Sequence, residues 1–141
     1  MSWEYSENIL VQNSAGDLLK DVLGWDVVFA YDKEVLGEQG TLGRKSYREI
    51  VLQRYLKKAL FENNDWLTEE LCEDAIKTLL TYNASNSLMQ INQQKYAMLR
   101  DGIPVNVKKT NGEIEPRLVK VFNFDEPLKN HFLAVKEMKI H

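Results

Sequence analysis

The sequence predicts a mixed α/β (α+β) fold, and three features carry that expectation. Apolar side chains recur at helical spacing through much of residues 14–101. The string WDVVFAY at 25–31, rich in β-branched and aromatic residues, interrupts them. After Gly102 the apolar period drops from 3.6 to 2. With 141 residues, 44% hydrophobic and 28% charged, the chain has the size and make-up of one globular domain or a large piece of one. We expect that domain to be helical over 1–102, with a hairpin and sheet over 103–141.

Taken in order, Ala15, Leu18, Leu19, Val22 and Leu23 set a first helix over 14–24, stopped at Gly24. A strand follows at 25–31. The stretch 32–45, with Gly37, Gly40 and Gly43, reads as a loop. Ser46-Tyr47-Arg48-Glu49 has capping-box spacing and predicts a helix over 46–62, with Val51, Leu52, Tyr55, Leu56, Ala59 and Leu60 as its apolar stripe. A helix over 68–82 carries Leu71, Cys72, Ala75, Ile76, Leu79 and Leu80, with Glu69 and Glu70 suited to its positive start. A second capping box, Ser87-Leu88-Met89-Gln90, opens a helix over 87–101 that should bury Leu88, Ile91, Tyr96 and Leu99. Leu52, Leu56, Ile76 and Leu80 are expected to be buried together.

Beyond Gly102, Ile103, Val105 and Val107 alternate in a strand over 103–109, and Thr110-Asn111-Gly112 is a hairpin turn signal. The return strand over 117–124 is apolar on both faces and should lie inside a sheet. Asp125-Glu126-Pro127 breaks it. A last strand over 132–140 runs to His141 with no turn, as a sheet in progress would.

Composition narrows the function classes. No apolar run approaches the ~20 residues of a membrane helix, and the polar, acidic start is unlike a secretory signal. A single cysteine, Cys72, cannot form an internal disulfide. A cytoplasmic protein without a membrane partner is the expectation. The net charge of −3 argues mildly against a stand-alone nucleic-acid-binding domain. Its distribution is uneven, however: residues 41–60 hold six basic and one acidic side chain, and 61–75 six acidic and none basic. Arg44, Lys45, Arg48, Arg54, Lys57 and Lys58 form either a phosphate-attracting patch or a solvated face.

Little in the chain signals chemistry. It has no P-loop, dinucleotide glycine fingerprint, nucleophile elbow or His-Glu-x-x-His. His131 and His141 do not make a metal site, and Cys72 sits on an apolar stripe as a packing residue. Asp125 and Glu126 follow a strand, where hard oxygens bind divalent cations, but beside Pro127 they also read as turn acids. Asn130 reads as turn-stabilising. No metal ligands are assigned.

As a whole the string resembles the N-terminal region of the type I restriction enzyme R subunit (HsdR). The resemblance begins at Ser6-Glu7 and continues through Leu18-Leu19 and VLGWDVV (22–28). It runs on through LGRKSYREIVLQRYLKKAL (42–60), Ala75-Ile76, Ser87-Leu88, Asn92 and RDGIPV (100–105), and closes with VFNFDEPLKNHFLAVKEMKI (121–140). It rests on the order of six weak motifs over nearly the whole chain. The family's subunit is a DNA endonuclease and an ATP-driven translocase, so the resemblance implies a restriction-endonuclease-like mixed sheet, here incomplete. In that class an Asp and a Glu-x-Lys on adjacent strands hold Mg²⁺ at the scissile phosphate. These residues are expected beyond His141, because Lys136-Glu137-Met138-Lys139 lacks a preceding Asp strand and reads as an amphipathic strand face.

Of the catalytic set the resemblance leaves only Glu7, an acid of the first helix. It makes Arg44, Lys45 and Arg48 contacts to DNA phosphate, with Arg44 equally open to pinning by a local carboxylate such as Glu49. Mg²⁺ and ATP belong to the whole subunit, and neither is expected on this chain, which alone should not cut DNA. The implied partners are DNA and the methyltransferase (M) and specificity (S) subunits. A small stand-alone protein-binding module and a DNA-associated regulator are the alternative readings.

Overall fold

The computed structural model describes residues 7–30 and 33–141, with side chains from Leu10 onward. Helices α1 (Glu7–Asp21), α2 (Gln53–Asn63), α3 (Glu69–Leu80) and α4 (Leu88–Asp101) occur with strands β1 (Asp26–Phe29), β2 (Ile103–Lys108), β3 (Ile114–Val119) and β4 (Leu133–Lys136). This is a mixed α/β fold with small, open sheets. The chain divides into two compact units, 1–53 with 131–141, and 54–130.

In the first unit β1 and β4 pair in parallel, from Asp26 opposite Leu133 to Phe29 opposite Lys136. Helix α1 lies against both strands. Gly16 permits this closeness: a Cβ there would stand 3.3 Å from Lys136 Cδ and 3.6 Å from Val27 Cγ1. Trp25 and Phe132, which enter the two strands, stack at 5.1 Å.

The second unit has an apolar core of Leu60, Leu67, Cys72, Ala75, Ile76, Ile103, Val105, Val119 and Val121. Of its helix starts, the Ser87 box is legible in the sequence. The Thr68 hydroxyl accepts from Leu71 N, and Ser87 with Gln90 closes a full capping box. The turn at Gly112, with φ of 86°, joins β2 and β3 in an antiparallel hairpin from Ile103 opposite Val119 to Lys108 opposite Ile114.

Several expectations are corrected. The first helix starts at Glu7 and ends at Asp21, because 7–13 contains no breaker. The strand expected over 25–31 covers 26–29, and Tyr31 lies outside the described residues. The helix expected from Ser46 starts at Gln53. There the Ser46 hydroxyl accepts from Arg48 N and the Glu49 carboxylate from Lys45 N, both at 3.3 Å, so the pair closes turns in a loop instead of capping a helix.

Helix α4 buries no side chain: Leu88 and Tyr96 are exposed, Ile91 and Leu99 half-buried, since α3 is the main cover of β2. Strand β3 covers 114–119 with all but Val119 exposed, because its sheet has only two strands. Strand β4 stops at Lys136, where Glu137 adopts a φ of 52° that extended backbone cannot continue. The amphipathic strand face expected over 136–139 therefore does not form. Nor does the group of Leu52, Leu56, Ile76 and Leu80: Leu80 is exposed, and Leu52 belongs to the other unit, while Leu60 and Cys72 are fully buried.

Candidate functional site

The most constrained cation in the described structure is Arg44. A guanidinium has five N–H donors in a planar fork, and each one here has an acceptor. Nε donates to Glu34 Oε2 at 2.7 Å, and Nη2 to Glu34 Oε1 at 2.6 Å and to the carbonyl of Lys139 at 2.7 Å. Nη1 donates to the carbonyls of Glu49 at 3.1 Å and Tyr47 at 3.5 Å. The side chains of Arg44 and Glu34 are 0% and 2% exposed. Donating hydrogen bonds to the Glu34 carboxylate holds the guanidinium above its ordinary pKa, against the opposing effect of burial.

The loop that carries this pair is shaped by glycine. The Gly37 amide donates to the Arg44 carbonyl at 2.8 Å, and Gly43 just before Arg44 has a φ of 75°. A Cβ on Gly40 would lie 1.9 Å from the Val35 carbonyl oxygen.

The other members of the basic stretch behave differently. Lys45 is exposed and pairs with Glu38 at 3.2 Å; Arg48 is exposed and has no ion-pair partner among the described residues. Arg54, Lys57 and Lys58 belong to the second unit, where Lys57 pairs with Glu69 and Lys58 with Glu62. Arg44 itself does not reach solvent. It is pinned by a local carboxylate, though by Glu34 rather than Glu49, which contributes its backbone carbonyl.

Glu7 opens α1, but its side chain lies outside the described residues. Asp125 and Glu126 border a cavity of about 480 Å³ in the second unit, beside Phe122 and Phe124. Glu126 is held by Lys129 at 2.5 Å. Asn130 stabilises the turn as expected: its Oδ1 accepts from Asn123 N, and its Nδ2 donates to the carbonyls of Asn123 and Pro127. Cys72 is fully buried, and burial raises its thiol pKa, as suits a packing residue. Among the described residues no group of three His, Cys, Asp or Glu could hold a metal ion.

Two residues escaped the sequence reading. Glu34 stands ten positions before Arg44, at no spacing that marks a pair. Asn64, 3% exposed, bonds both backbone groups of Lys120 and the Leu60 carbonyl at 2.7–2.9 Å. The only sequence signal for it was a polar Asn63-Asn64-Asp65 break after a helix.

Over residues 4–141 the sequence matches the family described as type I restriction enzyme R protein N terminus (HSDR_N). A protein of Methanocaldococcus jannaschii, whose name gives it as a type I restriction enzyme MjaIXP endonuclease subunit, is 32% identical over 135 residues, 96% of this chain and 12% of that protein. The type I restriction enzyme HindI endonuclease subunit of Haemophilus influenzae is 29% identical over 118 residues, 84% of this chain and 11% of that protein. The chain therefore spans about an eighth of the length of these relatives or less. No solved structure matches it. The family pattern runs through both units, and the chain belongs to the type I restriction enzyme R protein N-terminal family.

Proposed function

We propose that this chain is the N-terminal part of the R subunit of a type I restriction system. In this reading the whole subunit cuts DNA with Mg²⁺ and translocates it with ATP, in complex with methyltransferase and specificity subunits. The observation that carries it is the family match over 4–141, almost end to end. The first unit is in keeping with it. A two-stranded parallel sheet has little stability of its own, and parallel sheets are normally larger and covered on both faces.

The described residues do not fit the cofactors. They hold no cluster suited to a metal, and the sequence has no phosphate-binding loop. In this reading metal and nucleotide are held by other parts of the subunit, and the chain alone does not cut DNA. Its contribution is a frame: α1, beginning at Glu7, set against β1 and β4. Lys45 and Arg48 are the exposed cations in the basic loop that are available to a phosphate backbone.

The test is a supercoiled-plasmid assay at low salt with Mg²⁺, on this chain and on the full R subunit with its partner subunits and ATP. Cleavage by the full complex alone is expected. Nicking by the chain itself, lost on Asp125→Asn, would overturn the placement of the active site.

A further inference from the structure

We infer that Arg44 is a positioning residue, fixing the direction in which the backbone leaves β4 through the Lys139 carbonyl. The inference rests on the nuclease reading above, in which the catalytic strands follow that segment. Three stretches of chain meet on one guanidinium. Glu34 opens the glycine loop, Tyr47 and Glu49 close it, and Lys139 lies 95 residues after Arg44. Three of the five acceptors are backbone carbonyls, so the bonds hold main chain directly instead of a movable side chain.

Neighbouring contacts tighten the same segment. The His141 amide donates to the Tyr47 carbonyl at 3.4 Å. The Tyr47 ring meets the Lys139 ammonium at 5.1 Å, the Arg44 guanidinium at 5.5 Å and the His141 ring at 5.9 Å. The chain bends at Glu137, with its positive φ, between β4 and Lys139.

Stability alone is a poor reason for this arrangement. Desolvating a charge pair largely cancels its attraction, and well-packed apolar residues often do as well or better. The fork geometry of arginine adds orientation, since its five donors fix the directions of their acceptors. Lysine is a point charge and cannot reproduce that. The burial of Arg44 also separates this role from a phosphate contact, which needs the side chain in solvent.

The two roles differ in what they do to kinetics. The experiment uses the full R subunit with its partners and ATP, comparing wild type with Arg44→Lys and Glu34→Gln. A positioning role predicts that both variants lose maximal cleavage rate by roughly 10–100-fold, the scale of a small misplacement of reacting groups. The DNA concentration for half-maximal rate and the ATP hydrolysis should stay unchanged. Hydrogen exchange on the full R subunit should show 137–141 losing protection in both variants while the 103–119 hairpin keeps it.

Should Arg44→Lys lose ATP hydrolysis as well, Glu34→Asp takes its place; it keeps the charge but shortens the reach, and a smaller loss of the same kind is expected. Wild-type maximal rate in Arg44→Lys, or a loss that appears as weaker DNA binding and grows with salt, would overturn the inference. Failure of wild type to cleave would instead overturn the nuclease reading. The exchange measurement would still decide whether Arg44 holds 137–141.

Discussion

The two units of the molecule fix their backbones by opposite means. In the second unit nine apolar side chains, from Leu60 to Val121, are buried in one cluster. In the first, the buried side chains among the described residues are Ala30, Leu42 and Arg44, with Glu34 at its side. An apolar core tolerates many packings of similar volume, whereas a guanidinium with five committed donors accepts one arrangement. The second unit is therefore built for stability, and the first for the exact placement of a few main-chain segments.

The sharpest way to break this comparison is to remove the cation. Arg44→Met leaves the Glu34 carboxyl buried without its partner, and should destabilise the first unit by about 3–5 kcal/mol. Hydrogen exchange resolved by residue should place the loss in 26–49 and 133–141. Adding Glu34→Leu to Arg44→Met removes the stranded carboxyl and should recover most of the loss. A double variant as unstable as the single one would show that the carbonyl contacts, not the charge pair, carry the energy.

In the second unit the matching test is Leu60→Ala, at 0% exposure, with an expected cost of about 2–5 kcal/mol from the cavity. Leu80→Ala, at 40% exposure on the neighbouring helix, should cost much less in the same urea titration. Equal losses would mean that the unit does not distinguish core from surface as drawn here.

Asn64 is the point where the apolar unit borrows the method of the other. Its amide bonds both backbone groups of Lys120, as a strand neighbour would, and also the Leu60 carbonyl in the last turn of α2. Asn64→Ala strands the buried Leu60 carbonyl and the part-buried backbone groups of Lys120, and should cost about 1–3 kcal/mol, read from the urea midpoint at constant slope. A neutral result would imply that water replaces the amide.

What the sequence disclosed follows the same division. Ser87 with Gln90, Gly112 and the apolar stripe of α3 act on neighbours within a few positions, and these were legible. The helix assigned from Ser46 failed because two local patterns competed for the same residues. Ser46 and Glu49 can cap a helix or close turns, and the demand of Arg44 for the Tyr47 and Glu49 carbonyls agrees with the second. That demand depends on Glu34 and on Lys139, 95 residues away, a contact no local spacing encodes. The expected burial of α4 failed for a related reason: amphipathic spacing tells which face is apolar, not whether a partner covers it. At the candidate site, chain order revealed the family while the side-chain roles were legible only in part, since the sequence leaves Arg44 open between a phosphate contact and a local carboxylate until its burial against Glu34 is known.

The smallest effect expected tests the dryness of the apolar unit through its one thiol. Cys72 is fully buried, and burial raises its pKa above the ordinary range of about 8.5. In the unfolded chain the thiol ionises first, so between its unfolded and folded pKa values the native state binds more protons. Stability must then fall as pH rises through that window, by at most about 1.4 kcal/mol per pH unit. Lys57 acts with the same sign: hydrogen bonding to Glu69 raises its pKa, and that contribution is lost as pH rises through the folded value. The thiol is isolated by comparing wild type with Cys72→Ala in urea titrations from pH 7 to 10. The variant loses some packing at every pH, yet its stability should decline less steeply above pH 8.5. Parallel curves, together with fast labelling of the native thiol by a maleimide, would show that water reaches Cys72 and that the core of the second unit is not closed.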